Sequence, residues 1–116
     1  MTNSRAKGRA GETKARHMWE DRDFTCEDMS GGRTSCDFLA IKDGTIWAVE
    51  VKDRAIIDMR CFRAQARMNA KKGIKWAVAA HIPDTRAWII ERQGTFPVLW
   101  YEKGDALCAV QEGDAL

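Results

Sequence analysis

Cys36-Asp37-Phe38-Leu39-Ala40-Ile41-Lys42-Asp43-Gly44-Thr45-Ile46-Trp47-Ala48-Val49-Glu50-Val51-Lys52 decides the fold. Residues 37–42 and 45–52 read as two strands. Asp43-Gly44 between them is a strong two-residue hairpin signal, because both turn positions need a positive φ. Side chains alternate along a strand, so Glu50 and Lys52 share one face while Trp47, Val49 and Val51 point into the core. With arms 38–42 and 45–49 folded about the turn, Asp37 pairs near Glu50. Two carboxylates meeting at a hairpin end repel each other unless a cation lies between them. An acid and a lysine side by side can also hold a cation and a phosphate together. Plainer readings exist. Glu50–Lys52 alone fits a solvated strand end, Glu12-Thr13-Lys14 repeats the same spacing, and Asp37 suits a turn that caps a loop.

Upstream, Ser30-Gly31-Gly32-Arg33-Thr34-Ser35 is a loop by composition and 24–28 a short strand. A helix is expected over 9–22, with Ala15, Met18 and Trp19 on its buried face, preceded by a flexible basic arm at 1–8. Downstream, a helix over 58–72 stops at Gly73. Strands 74–82 and 86–91 form a hairpin turning at Pro83-Asp84-Thr85, and 98–101 reads as an edge strand. Residues 105–116 receive no assignment. The order is α-β-β-β-α-β-β, an α/β fold whose central mixed sheet of about five strands is flanked by helices.

At 116 residues the chain is expected to form one domain. No apolar run is long enough for a membrane span, and the basic N-terminus lacks the apolar stretch of a secretory signal. Cys26, Cys36, Cys61 and Cys108 include no C-x-x-C pair, so reduced thiols and a cytoplasmic location are expected. The net charge of +2 is unevenly spread: +3 over 1–22, −4 over 23–51, +6 over 52–75 and −3 over 76–116. Two basic blocks suit a polyanion. The acidic segment between them suits a divalent cation.

Glu12 lies on the apolar stripe of the first helix, where a carboxylate needs a partner. As a first-turn residue it equally suits the helix dipole. Gln65 is expected on the inward face of the second helix with Cys61 and Met68. There it satisfies a buried backbone group or steadies the lysine or a water. Arg60, Arg63, Arg67 and Lys71 form a ridge on the opposite face with no evident acidic partners, which favours phosphate contacts over a merely solvated face. His17 and His81 make no hydrolase site. There is no nucleophile elbow, P-loop or dinucleotide fingerprint. Trp47, Trp76 and Trp88 fall in strand patterns and are assigned to the core.

Asp37 followed by Glu50-Val51-Lys52 resembles the D…(D/E)-x-K signature of the PD-(D/E)XK nucleases. Asn3-Ser4-Arg5-Ala6-Lys7-Gly8 with Glu12 is similar to the start of archaeal-type Holliday junction resolvases and their phage relatives. Gln65 matches a glutamine common in the wider class. The resemblance covers roughly residues 3 to 92, with Cys36 replacing the usual proline before the aspartate.

The resemblance implies a restriction-endonuclease-like core, with a nuclease domain over 9–104. It also implies Mg²⁺ or Mn²⁺ held by Asp37, Glu50, Glu12 and the Val51 carbonyl, with Lys52 and Gln65 completing the catalytic set. Arg5, Lys7, Arg9 and Arg33 are then expected to join Arg60, Arg63, Arg67 and Lys71 in holding DNA. The implied function is a structure-selective DNA endonuclease, a Holliday junction resolvase acting as a homodimer on four-way junctions, in a host cytoplasm if phage-encoded. Ile82, Trp88, Ile90, Phe96, Val98, Leu99 and Trp100 offer an apolar interface for the dimer, or simply complete the core. The alternatives are a flap, nicking or replication-repair nuclease of the same fold, or a non-catalytic DNA-binding module.

Overall fold

The computed structural model describes residues 4–29 and 36–102. Helix α1 (Ser4–Glu20) is followed by strands β1 (Thr25–Asp28), β2 (Phe38–Lys42) and β3 (Thr45–Lys52). Helix α2 (Met59–Asn69) leads to β4 (Lys75–His81), β5 (Ala87–Arg92) and β6 (Val98–Tyr101). The strands form one six-stranded sheet in sequence order, in which β3 and β4 are parallel and the other neighbours antiparallel. The α/β class and mixed sheet are as expected. The strand number is six rather than five, because β6 pairs fully with β5 and buries Trp100.

The β2–β3 turn follows the sequence signal: Asp43 has φ 51° and Gly44 φ 77°, the left-handed pair a tight hairpin needs. Only the parallel β3–β4 pair needs a crossover, and α2 supplies it. Asp58 caps α2, its Oδ1 accepting from the Cys61 N–H at 3.2 Å.

Three boundaries differ from expectation by two residues or more. Residues 4–8, expected as a flexible arm, are the first turns of α1. Ala6, Lys7, Arg9 and Ala10 are good helix formers and outweigh Gly8. That helix ends at Glu20 rather than residue 22, where Asp23 turns to φ 69° and the Phe24 N–H returns to the Trp19 carbonyl. Helix α2 stops at Asn69, because Ala70 takes up extended backbone. Residues 105–116 and residues 30–35, the latter expected as a loop, lie outside the described residues.

The helices cover opposite faces. On the α1 face Ala15, Met18 and Trp19 pack against Phe38, Ala40, Trp47, Val49, Ala77, Ala79, Trp88, Ile90 and Trp100. On the α2 face Phe62 and Ala66 pack against Trp76, Val78 and Ala80. This corrects the phase of α2: Cys61, Gln65 and Met68 are exposed. Phe62 is the largest apolar side chain available at i, i+4 spacing with Ala66, and it selects the buried stripe.

The proposed dimer patch is also corrected. Trp88, Ile90 and Trp100 complete the core, Ile82, Val98 and Leu99 are half-buried, and Phe96 alone of the seven is exposed. No helix among the described residues is long and apolar enough to cross a membrane.

Candidate active site

The site sits at the C-terminal end of β3, on the α2 face. Phe38 pairs with Val49, which puts Asp37 across from Glu50. The Asp37 N–H donates to the Val49 carbonyl at 3.0 Å. Asp37 Oδ2 accepts from the Val51 N–H at 2.7 Å. This locks the carboxylate to the strand that carries Glu50 and Lys52. Phe38 and Ala40 belong to the α1-face core, so Asp37 falls by alternation on the same face as Glu50 and Lys52.

Glu50 and Lys52 are buried, at 7% and 6% exposure, and each meets a polar side chain of α2. Asn69 Nδ2 donates to Glu50 Oε1 at 3.0 Å. Lys52 Nζ donates to Gln65 Oε1 at 2.6 Å and lies 5.7 Å from the Phe62 ring centroid. The spacing has a geometric reason. Four helix residues advance about 6 Å and two strand residues about 6.6 Å. An antiparallel helix can therefore match positions 65 and 69 to 52 and 50.

Burial pushes the Glu50 carboxyl above its ordinary value. The Asn69 hydrogen bond opposes this, the Asp37 charge adds to it, and Lys52 opposes it again. Cys36, beside the pair, is pushed up to about 11 by burial, then by Glu50 and Asp37, against Lys71. This favours the protonated thiol at neutral pH.

Gln65 meets Lys52 as one of its two readings expected, although its residue is largely exposed. Glu12 is half-buried on α1, next to Gly11, where an added Cβ would lie 3.2 Å from Asp53 Oδ2. Among the described residues no three His, Cys, Asp or Glu side chains lie close enough to share a metal ion. Asp37 and Glu50 are thus a pair, and Glu12 is not gathered with them. Asn69 was not singled out from the sequence. Its signal was the four-residue spacing from Gln65, matched to Glu50 and Lys52.

The basic ridge is corrected at one position. Arg63 forms a two-point ion pair with buried Glu91, through Nε to Oε2 and through Nη2 to Oε1 at 3.0 Å. Glu91 was hidden from the sequence reading by its distance along the chain. Arg60, Arg67 and Lys71 are exposed, Arg67 lying 5.8 Å from the Trp76 ring centroid. Arg5, Lys7 and Arg9 belong to α1, but their side chains and Arg33 lie outside the described residues.

A second polar cluster lies at the C-terminal ends of β3 and β4. His81 Nδ1 is 3.0 Å from Asp53 Oδ1, and its Nε2 is 2.7 Å from the Thr85 carbonyl. The Trp88 Nε1–H donates to Glu102 Oε2 at 2.9 Å. With no serine, cysteine or lysine nucleophile placed on the imidazole by these bonds, the cluster reads as structural.

Compared with known proteins, the sequence matches no family model and no curated protein closely enough to count as a relative.

Proposed function

We propose that the chain is a metal-dependent DNA endonuclease of the PD-(D/E)XK type. The observation that carries this reading is the shared face: Asp37 stands across from Glu50, tied to the Val51 N–H, and Lys52 follows on the same side of β3. Their donor set fits a hard divalent cation, since both groups are carboxylates, whose oxygens suit such an ion. Asp37, Glu50 and the Val51 carbonyl would hold Mg²⁺ or Mn²⁺. A cation there supplies Lewis acidity toward a phosphodiester. Lys52, whose ammonium donates to Gln65, would meet negative charge building on the phosphate. Glu12, on α1, is not gathered with this pair and is no part of the proposed cation site. Arg60, Arg67 and Lys71 would contact the DNA backbone without reading sequence.

The finer reading is a resolvase that nicks four-way junctions as a homodimer, whose two-fold symmetry matches the junction's. With the C-terminal apolar residues largely buried, the dimer rests on the resemblance and on that symmetry. Light scattering tests it, a monomeric mass counting against it. Equal cutting of junction and linear duplex would favour a less selective flap or nicking enzyme.

One observation favours a second reading. Glu50 and Lys52 each have a side-chain partner on α2, as a purely structural polar layer would. Incubation with branched and linear DNA in Mg²⁺, with and without EDTA, separates the two. Asp37→Ala and Glu50→Ala should each lower cutting by at least about 10²-fold, the scale of losing one electrostatic contact to developing charge, while DNA binding persists. Wild-type cutting by either variant overturns the assignment.

A further inference from the structure

Where α1 ends, the α1 face of the sheet opens into a cleft of about 400 Å³ whose lining includes Arg22, Lys42, Trp47, Arg92 and Trp100. By strand alternation Lys42, Trp47, Lys75, Arg92 and Trp100 all fall on this face, since Ala40, Val49, Ala77, Ile90 and Val98 belong to its core. The Arg92 guanidinium lies 5.5 Å from the Trp47 ring centroid and 5.9 Å from that of Trp100. Lys75 Nζ lies 5.4 Å from the Trp47 centroid. Lys42 Nζ lies 5.2 Å from the Phe24 centroid and donates to the Arg22 carbonyl at 3.0 Å. Arg22 itself sits 4.1 Å from the Trp100 centroid.

Among the described residues Lys42, Lys75 and Arg92 form no ion pair. The cleft lining carries one carboxylate, Asp43, on the exposed hairpin turn. The contrast with Arg63 is direct, because there a buried carboxylate neutralises the guanidinium. An aromatic face orients a cation without cancelling its charge. Burial lowers the Arg92 pKa, yet arginine stays charged. Trp47 and Trp100 are themselves buried, at 8% and 5% exposure, and the cations lie over them. Their rings therefore present cations rather than a stacking platform for bases. What such a cleft selects is an anion repeated along a chain, the phosphate backbone of a nucleic acid.

We infer that this cleft is a second DNA-backbone contact, on the opposite face of the sheet from Asp37 and Glu50 and at its opposite end. Trp47 and Lys52 stand about 17 Å apart along β3 at the usual strand rise. The cleft therefore engages phosphates outside the stretch held at the candidate active site, on a separate arm or a distant turn of the substrate. The inference rests on the nucleic-acid part of the function proposed above and not on its chemistry.

The test is fluorescence anisotropy of a labelled four-way junction and a labelled duplex in EDTA, so that cleavage plays no part, over a series of salt concentrations. Lys42→Ala/Lys75→Ala should weaken binding and flatten the slope of log K against log salt by about two units, near 0.9 per lost phosphate contact. Arg92→Gln should flatten it by about one unit by the same rule. Circular dichroism checks that each variant folds. Lys75 is exposed and Lys42 half-buried, so the double variant serves even if Arg92→Gln misfolds. A double variant that folds and keeps the wild-type slope overturns the inference while leaving the nuclease reading in place. Loss of cutting in Asp37→Ala with no change at the cleft variants has the same meaning. A wild-type chain that binds no DNA overturns both.

Discussion

On the α1 face Trp19 meets Phe24, Phe38 and Trp100 edge-on, with ring centroids 4.8, 6.2 and 5.0 Å away. On the α2 face the apolar contact is Phe62 and Ala66 over Trp76, Val78 and Ala80. That contact is bordered by three polar pairs, Glu50–Asn69, Lys52–Gln65 and Glu91–Arg63. An aromatic cluster gains from burial in many orientations, so it holds α1 strongly. The smaller α2 contact gains less, but hydrogen-bonded pairs tolerate one register only. Stability is thus concentrated on one face and positional accuracy on the other, and the candidate site lies on the accurate one.

The largest effect that would break this contrast is at Trp19. It is fully buried, and Trp19→Ala should cost about 3–5 kcal/mol, as large-to-small core changes do. Asn69→Ala should cost about 1–3 kcal/mol by leaving a buried acceptor unsatisfied. Urea unfolding of both variants checks the order, and a larger loss at Asn69 would reverse the comparison.

A smaller effect sharpens it. Arg63→Ala strands the Glu91 carboxylate, 5% exposed, and should cost about 1–3 kcal/mol. Because that guanidinium is already neutralised, the variant should leave the salt dependence of DNA binding unchanged, whereas Arg60→Ala/Arg67→Ala should flatten it. A flattened slope for Arg63→Ala would return it to the ridge proposed to contact phosphates.

The smallest effect concerns protons. Burial chiefly, and then Asp37, hold the Glu50 carboxyl above its ordinary value, against Asn69 and Lys52. The folded chain therefore keeps this proton more tightly than the unfolded one. Its stabilising contribution is complete below the unfolded value, about 4.3, and is lost as pH rises through the folded value. Glu50→Gln should gain on the wild type in thermal midpoint across that rise. Added Mg²⁺ should narrow the gap, because a bound cation favours the carboxylate. A gap unaffected by Mg²⁺ would support the structural polar layer.

Local chemistry explains which features were legible in the sequence. The Asp43-Gly44 turn, the shared face of Glu50 and Lys52, and the approach of Asp37 to Glu50 follow from period-two alternation about one tight turn. The phase of α2 did not follow, since stripes through Cys61, Gln65 and Met68 or through Phe62 and Ala66 both have helical spacing. The strands beneath chose Phe62. Arg63 looked unneutralised because Glu91 reaches it from β5, two elements later. The cationic cleft was hidden for the same reason: Lys42, Lys75 and Arg92 come from three strands, and Trp47 looked like ordinary core. Glu12 kept two readings because its neighbours lie on other elements.

The strand order of the sheet, identical to the order along the chain, bears on how the molecule reaches its shape. The antiparallel runs β1–β3 and β4–β6 are each assembled from sequence neighbours. Only the seam between β3 and β4 waits for a long excursion, the one through α2. Contacts of low sequence separation need little loop-closure entropy before they form, and such topologies fold quickly. Asp37, Glu50 and Lys52 are brought together within the first run. Gln65 and Asn69 come from α2, the element that spans the seam, so their alignment depends on that crossover and not on the first run alone.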